Sequence, residues 1–101
     1  MNVDRHSHSS TCLNDSLYVF GGSGSTDRSA ETIERLLLIG QSGVLWELIS
    51  TDAFTPRKWA SVCPIDEYDI LICGGYDEKA PKFLSDAIVF NTVTKYSERI
   101  A

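Results

Sequence analysis

A glycine pair that closes a short apolar run occurs twice in the chain, and this repeat restricts the folds that the chain can adopt. The first run, LYVF, ends at Gly21-Gly22, and the second, ILIC, ends at Gly74-Gly75, so that the two pairs lie 53 residues apart. Self-similarity at a fixed period of roughly 20–50 residues is typical of proteins built from repeated units. The sequence therefore predicts two similar structural units, residues 1–52 and residues 53–101.

Two further landmarks recur in the same order around the glycine pairs. Arg5 precedes the first pair and Arg57 precedes the second, by 16 and 17 residues to the first glycine of each. Trp46 follows the first pair by 24 residues, and Tyr96 follows the second by 21. An ordered set of three landmarks that appears twice in 101 residues indicates a true repeat rather than a chance match.

Short β-branched or aromatic runs, separated by clusters of Gly, Ser, Asp, Asn and Pro, predict four strands in each unit. A helix competes over residues 28–38 (RSAETIERLLL), whose residues favour helices and which Ser29 could cap. The matching stretch of the second unit is short and β-branched, which favours strand in both. The expected strands are His6–Leu13, Leu17–Gly21, Ile33–Ile39 and Val44–Ile49, then Trp59–Pro64, Asp69–Cys73, Ala87–Phe90 and Lys95–Ile100.

The second strand of each unit is apolar at consecutive positions, which is typical of a strand that is covered on both faces. A four-stranded sheet with such a strand needs a neighbour on each side. The sequence thus predicts an all-β chain of two four-stranded antiparallel sheets that pack face to face, in the manner of propeller blades.

These landmarks resemble the kelch repeat, whose unit of about 50 residues has a glycine pair at the end of its second strand and an aromatic residue some twenty residues later. The matching structural positions are Gly21, Gly22, Trp46, Arg57, Gly74, Gly75 and Tyr96, and Arg5 matches less closely. An aspartate that is common in the third strand of the family matches Asp86 approximately and has no clean counterpart in the first unit. We expect the glycine pairs to leave room for the rings of Trp46 and Tyr96.

Two blades cannot close a ring, because propellers contain roughly four to eight. Three interpretations remain open at this point. The chain is a fragment of a longer propeller, or several copies assemble into a ring as a homo-oligomer, or a partner chain covers the exposed sheet faces.

Composition and charge exclude several classes of function. The net charge of −5 argues against binding to nucleic acid, which needs a clustered basic surface. No apolar run approaches the roughly 18 residues of a membrane span. His6 and His8 have no further histidine to complete a metal site, and neither they nor the three cysteines form a catalytic constellation. We therefore expect no enzyme activity, no catalytic or metal-binding residues and no cofactor.

Three cysteines and no apparent secretion signal indicate a cytoplasmic protein.

Loops held by a rigid scaffold commonly carry recognition. In kelch-like propellers the loops between the second and third strands and the loops between blades share one edge, and that edge commonly binds the partner. The resemblance thus implies a non-catalytic protein–protein interaction module, an adaptor or scaffold. The alternative is a fragment of a kelch-like propeller enzyme, a metal-dependent oxidase or a specifier protein. The expected partner contacts are Ser25, Arg28, Tyr76, Lys79 and Lys82.

Overall fold

The computed structural model describes residues 5–24, 32–39, 43–50 and 54–101, and within these ranges the protein is all-β, with antiparallel sheets and no helix. The turns lie where Gly, Asn, Asp and Pro cluster in the sequence, because these residues favour turn conformations. The strands are β1 (Ser9–Leu13), β2 (Ser16–Phe20), β3 (Ile33–Ile39), β4 (Gly43–Ile49), β5 (Ser61–Pro64), β6 (Asp69–Cys73), β7 (Tyr76–Asp77), β8 (Lys82–Phe83), β9 (Ala87–Asn91) and β10 (Tyr96–Arg99).

Eight of the strands form two four-stranded antiparallel sheets. The first sheet has the order β1-β2-β3-β4 and the second has the order β10-β9-β6-β5, so each is a simple meander of consecutive hairpins apart from an insertion in the second sheet. The insertion is a small hairpin, β7-β8, which the sequence analysis did not predict. The predicted bounds of β3 and β6 are confirmed, and the competing helix is wrong from residue 33 onwards. Its first part, residues 28–31, lies outside the described residues.

The hydrogen-bond register corrects the pairing of the two aromatic landmarks. Trp46 lies opposite Leu36, and the residue opposite Phe90 in the second sheet is Ser97. Leu36 lies opposite Leu17, and Phe90 lies opposite Ile70. Leu17 and Ile70 are equally far from the glycine pairs that follow them, so Leu36 and Phe90 occupy equivalent positions. Ser97, not Tyr96, is therefore the counterpart of Trp46. A shift of one residue turns a side chain to the other face of a sheet, and the ring of Tyr96 is 68% exposed.

The core lies between the two sheets. Tyr18 and Phe20 of β2 meet Phe90 of β9 edge-on, with ring centroids 6.0 and 5.9 Å apart. Ile70 and Ile72 of β6 are completely buried beside them. Each aromatic side chain removes roughly 150–250 Å² from water, so this contact contributes strongly to the hydrophobic stabilisation between the sheets.

A buried arginine links the segment before β5 to the end of β6 and to the start of β9. Arg57 donates two hydrogen bonds to the carboxylate of Asp86, both 2.7 Å long, and a third of 2.8 Å to the carbonyl oxygen of Gly74. Its Nε–H donates to the carbonyl oxygen of Thr55 at 3.0 Å. The arginine is 1% exposed, so the charge is stabilised by these partners rather than by water.

The first sheet contains an equivalent arginine with a different set of acceptors. Arg5 donates to the carbonyl oxygen of Gly21 at 2.8 Å, as Arg57 does to Gly74, and to the Thr32 hydroxyl at 3.0 Å. Its acidic partner is Glu34, 3.0 Å away and completely buried. Burial lowers the pKa of Arg5, while the charge of Glu34 opposes this effect.

The acidic partner of the arginine therefore lies two residues later in the first sheet (Glu34) than in the second (Asp86). Thr32 and Asp86 are equivalent, because the amides of Gly21 and Gly74 donate to their carbonyl oxygens at the same distance of 3.2 Å. Residues two apart on a strand share a face, so Glu34 reaches the arginine from the same side. This replacement explains why the sequence of the first unit has no aspartate at the expected position.

The glycine pairs are needed for backbone conformation and not for aromatic rings, which corrects the expectation for Trp46 and Tyr96. Gly22 has a φ of +106° and Gly75 has a φ of +100°, values that L side chains rarely adopt. A Cβ on Gly22 would lie 2.6 Å from the carbonyl oxygen of His6, and one on Gly75 only 2.7 Å from that of Lys58. The space beside the second glycine of each pair is therefore occupied by the segment that follows the arginine.

The Arg57–Asp86 ion pair makes acid stability depend on Asp86. Its hydrogen bonds from Arg57 hold the pKa of this carboxyl group below the ordinary value of about 3.9. A carboxyl group whose pKa is lower in the folded state contributes stability that is present above the unfolded pKa and is lost as the pH falls through the folded pKa. We expect the free energy of unfolding to fall below about pH 4, and we expect Asp86→Asn to have a shallower pH dependence there.

Denaturant titrations at a series of pH values measure this dependence. Glu98→Gln is the matched control, because Glu98 is an exposed side chain of β10 that takes no part in the Arg57–Asp86 ion pair. Equal acid dependence in the wild-type chain and in Asp86→Asn would contradict the assignment.

Candidate interaction surface at the loop edge

Two chain segments meet at one edge of the second sheet. The first is the connection from the first sheet into β5, and the second is the connection from β6 to β9, which contains the β7-β8 hairpin. A pair of backbone hydrogen bonds joins them: Lys58 N–H donates to the Tyr76 carbonyl at 2.9 Å, and Tyr76 N–H donates to the Lys58 carbonyl at 2.8 Å. The two loops therefore form a single surface.

The hairpin is closed by local side-chain chemistry. The carboxylate of Asp77 accepts hydrogen bonds from the backbone amides of Lys79 and Ala80, at 3.0 and 3.4 Å, which is the usual way in which Asp stabilises a turn. The turn places Phe83 of β8 opposite Tyr76 of β7. Phe83 is 78% exposed, so the hairpin presents this ring to solvent instead of burying it.

Three aromatic rings from the two loops, those of Trp59, Tyr76 and Phe83, form what we call the aromatic cluster. The ring centroids of Trp59 and Tyr76 are 5.9 Å apart, and those of Tyr76 and Phe83 are 4.9 Å apart at 62°. The ammonium group of Lys58 lies 4.1 Å from the centroid of the Trp59 ring, within the range of a cation–π interaction. The same group pairs with Glu78 at 2.8 Å.

The backbone of Trp59 is held in an unusual conformation. Its φ is +60°, which is uncommon for any residue other than glycine and rare for a bulky one. A hydrogen bond from its N–H to the carbonyl oxygen of Ser7, 3.0 Å long, helps to maintain this conformation. The side chain remains 57% exposed. A tryptophan whose backbone is held in place and whose side chain is exposed is a candidate binding residue, because tryptophan is enriched at binding hot spots.

The first half of the chain builds the same backbone without aromatic residues. Ser7 lies two residues after Arg5, as Trp59 does after Arg57, and its φ is +59°. His6 and Ser23 form the backbone bridge that corresponds to the one between Lys58 and Tyr76. Serines therefore suffice at two positions where the second half has tryptophan and tyrosine. The fold does not require the aromatic cluster.

A salt-bridged network borders the cluster. Glu78 accepts hydrogen bonds from the hydroxyl of Ser23 and from the ammonium group of Lys58, and these bonds hold the pKa of Glu78 below its ordinary value. On the other side of the hairpin, a cleft of about 280 Å³ lies between Phe83, Lys82 and the residues around Asp86. The surface thus combines exposed rings, charges of both signs and a recess large enough for a side chain.

The structure brings three of the expected contact residues together on this hairpin. Tyr76 belongs to the aromatic cluster and is half-buried, while Lys79 and Lys82 lie beside it and are exposed. Ser25 and Arg28 lie outside the described residues. Lys58, Trp59 and Phe83 were not predicted as contacts. Trp59 was assigned to the first position of a strand, which in the structure begins only at Ser61. The sequence signal for them is the concentration of aromatic residues next to turn residues.

The described ranges contain no group of three or more His, Cys, Asp and Glu side chains arranged to hold a metal ion. Among the same residues there is no helix of the length and apolar character that crossing a membrane requires.

Comparison with known proteins extends only to the fold. No protein-family model matches the sequence, and no curated protein matches it. A solved structure, described as the structure of YjhT, superposes on 97% of this chain with a TM-score of 0.79 and 19% sequence identity. The chain spans 28% of the length of that protein. At this level of identity the likeness concerns architecture, and it places the arrangement of two successive antiparallel sheets within a larger known protein.

Proposed function

We propose that the chain consists of two kelch-type propeller blades and is a non-catalytic protein–protein interaction module, which binds its partner through the aromatic cluster at the loop edge. The observation that carries the proposal is the difference between the two halves. At equivalent backbone positions the first half has Ser7 and Ser23, and the second has Trp59 and Tyr76. Because the fold does not need these rings, their exposure is best explained by recognition.

The composition of the surface supports this role. Tryptophan and tyrosine are among the residues most enriched at binding hot spots, which are surrounded by polar contacts that exclude water. Lys58, Glu78 and Lys82 provide such a polar border. The rings are held by two hydrogen-bonded loops, so little conformational entropy is lost when they bind.

The substitution Trp59→Ser separates binding from folding, because the first half already carries serine at this φ. Peptides selected from a random displayed library against the wild-type chain are expected to bind Trp59→Ser at least about 30-fold more weakly, equivalent to roughly 2 kcal/mol. Loss of the Lys58 cation–π contact costs only about 0.5–1 kcal/mol of stability. Binding constants are measured by titration calorimetry, with melting curves as the check on folding.

Tyr68→Ala is the matched control, because Tyr68 is 49% exposed and lies outside the aromatic cluster. Its effect on binding should be negligible. If the selected peptides bind Trp59→Ser as tightly as the wild-type chain, or if Tyr68→Ala is the variant that loses binding, the proposed surface is wrong.

A further inference from the structure

The faces through which the two sheets contact each other are not equivalent in sequence position. The first sheet contributes Tyr18 and Phe20, and the second contributes Ile70 and Ile72. Counting back from the glycine pairs, Phe20 is equivalent to Cys73, and Cys73 lies on the other face of β6 from Ile70 and Ile72. The contact is therefore head-to-tail, since equivalent surfaces do not meet each other.

A head-to-tail contact leaves one complementary face at each end. The outer face of the first sheet corresponds in sequence position to the core-facing side of the second sheet. The outer face of the second sheet corresponds in the same way to the core-facing side of the first sheet. In the first sheet the outer face carries Cys12, Leu17, Leu36, Trp46 and Leu48, while Val19 and Glu34 on the same face are already buried within the chain. In the second sheet it carries Cys63, Leu71, Cys73, Ala87 and Val89, together with the polar side chains of Asp69, Asn91 and Glu98.

Each outer face has an apolar part that is incompletely covered. Leu17, Leu36 and Trp46 are half-buried, and so are Leu71 and Val89. A groove of about 470 Å³ opens onto the apolar part of the first face, and another of about 470 Å³, lined mainly by polar side chains around Val89, opens onto the second. Contiguous apolar surface of this kind on a soluble protein marks an association site.

Side-chain size differs between the outer faces in a compensating way. On the second sheet, Cys73 and Ala87 stand where the first sheet has the larger Phe20 and Ile33. On the first sheet, the bulky Trp46 stands where the second has Ser97. The side chains of the second outer face are thus smaller than their equivalents in the core, and Trp46 on the first outer face is larger than its equivalent. The two differences compensate in total side-chain volume, which close packing between the faces requires.

We infer that the occupant of each outer face is a second copy of this chain. The first sheet of one copy packs on the second sheet of the next. It repeats the part of the contact that Ile70 and Phe90 make within a single chain, since their equivalents Leu17 and Leu36 are only half-buried. A contact between unlike surfaces continues from copy to copy and produces either a closed ring or an open array. This inference is independent of the proposed function, because the outer sheet faces do not include the aromatic cluster.

Sedimentation velocity of the 101-residue chain over a wide range of concentration measures the assembly. Leu36→Lys blocks the first outer face and Val89→Lys blocks the second, and each substituted side chain lies at the centre of its face. We expect the wild-type chain to form oligomers, each variant alone to be monomeric, and an equimolar mixture of the two variants to form a 1:1 dimer that grows no further. That mixing result is characteristic of a head-to-tail contact.

Other outcomes overturn the inference. A wild-type chain that is monomeric at every concentration shows that the faces are left for further segments of a longer chain or for a different partner. Aggregates that persist in both variants show non-specific association. A dimer formed by one variant alone shows contact between like faces.

Cysteine cross-linking decides the question even if a lysine substitution prevents folding. Cys12 and Cys63 are exposed on opposite outer faces, and replacing them with serine removes little buried surface. A chain that retains only Cys12 is mixed with one that retains only Cys63, and a short bismaleimide is added. The mixed cross-linked dimer should exceed either like-with-like product several-fold. Equal yields of the three products, or none, contradict the head-to-tail contact.

Discussion

Replacing Arg57 with methionine should destabilise the chain by about 3–5 kcal/mol, because it leaves the carboxylate of Asp86 buried without a cation. The arginine also holds the carbonyl oxygens of Gly74 and Thr55, so three acceptors lose a donor at once. Small domains are stable by only about 5–15 kcal/mol, and the loss is therefore a large part of the total. Denaturant unfolding followed by circular dichroism measures it.

Lys95→Met is the matched control for the Arg57 variant. Lys95 pairs with Glu47 at 3.1 Å, but both side chains are more than a third exposed. Water solvates both charges, so removing the lysine should cost at most about 1 kcal/mol. Asp86→Leu in the Arg57→Met background removes the uncompensated carboxylate, and we expect the double variant to be more stable than Arg57→Met alone. Equal losses in Arg57→Met and Lys95→Met would show that the buried pair has no special role.

The second large effect is expected at Gly75, where alanine should cost about 3 kcal/mol. The φ of +100° is unfavourable for any L side chain, and the added Cβ would lie 2.7 Å from the carbonyl oxygen of Lys58. That carbonyl cannot move freely, because it accepts the hydrogen bond from Tyr76 N–H that joins the two loops. Alanine therefore disturbs both the local backbone and the candidate interaction surface.

Gly74→Ala tests the explanation within the same glycine pair. Gly74 has a φ of +67°, in the left-handed region, and its Cβ would lie at an ordinary 3.5 Å from the nearest carbonyl oxygen, that of Leu84. We expect a loss of about 1–2 kcal/mol from conformation alone. Thermal melting of the two variants compares them directly. A loss in Gly74→Ala as large as that in Gly75→Ala would mean that the close approach to Lys58 is unimportant.

The regular strands could be predicted from sequence because their signals are local. Ile33–Ile39 and Asp69–Cys73 are short apolar or β-branched runs between turn residues, and the structure confirms both bounds. The β7-β8 hairpin could not be recognised in this way. Each of its strands has only two residues, too few to show an alternating pattern.

The role of the landmarks depends on contacts between residues that are distant in sequence. Arg57 was recognised as a repeat position, but its pairing with Asp86 follows from a sheet that brings residues 29 positions apart into contact. Glu34, the partner of Arg5, was missed because it lies two positions after Thr32, the residue equivalent to Asp86. Only the register of the strands shows that Thr32 and Asp86 are equivalent. Tyr96 was assigned one residue away from the true counterpart of Trp46 for the same reason.

The sequence by itself determined that the chain has two similar β-rich halves, since the glycine pairs, the arginines and the strand signals are all local patterns that repeat. The tertiary structure alone decided which residues meet. It brought Trp59 from one loop beside Tyr76 and Phe83 from another, and it left an incompletely covered sheet face at each end. The reason is physical: strand pattern depends on neighbours along the chain, whereas register and the packing of sheets depend on hydrogen bonds and side-chain volumes contributed by distant segments.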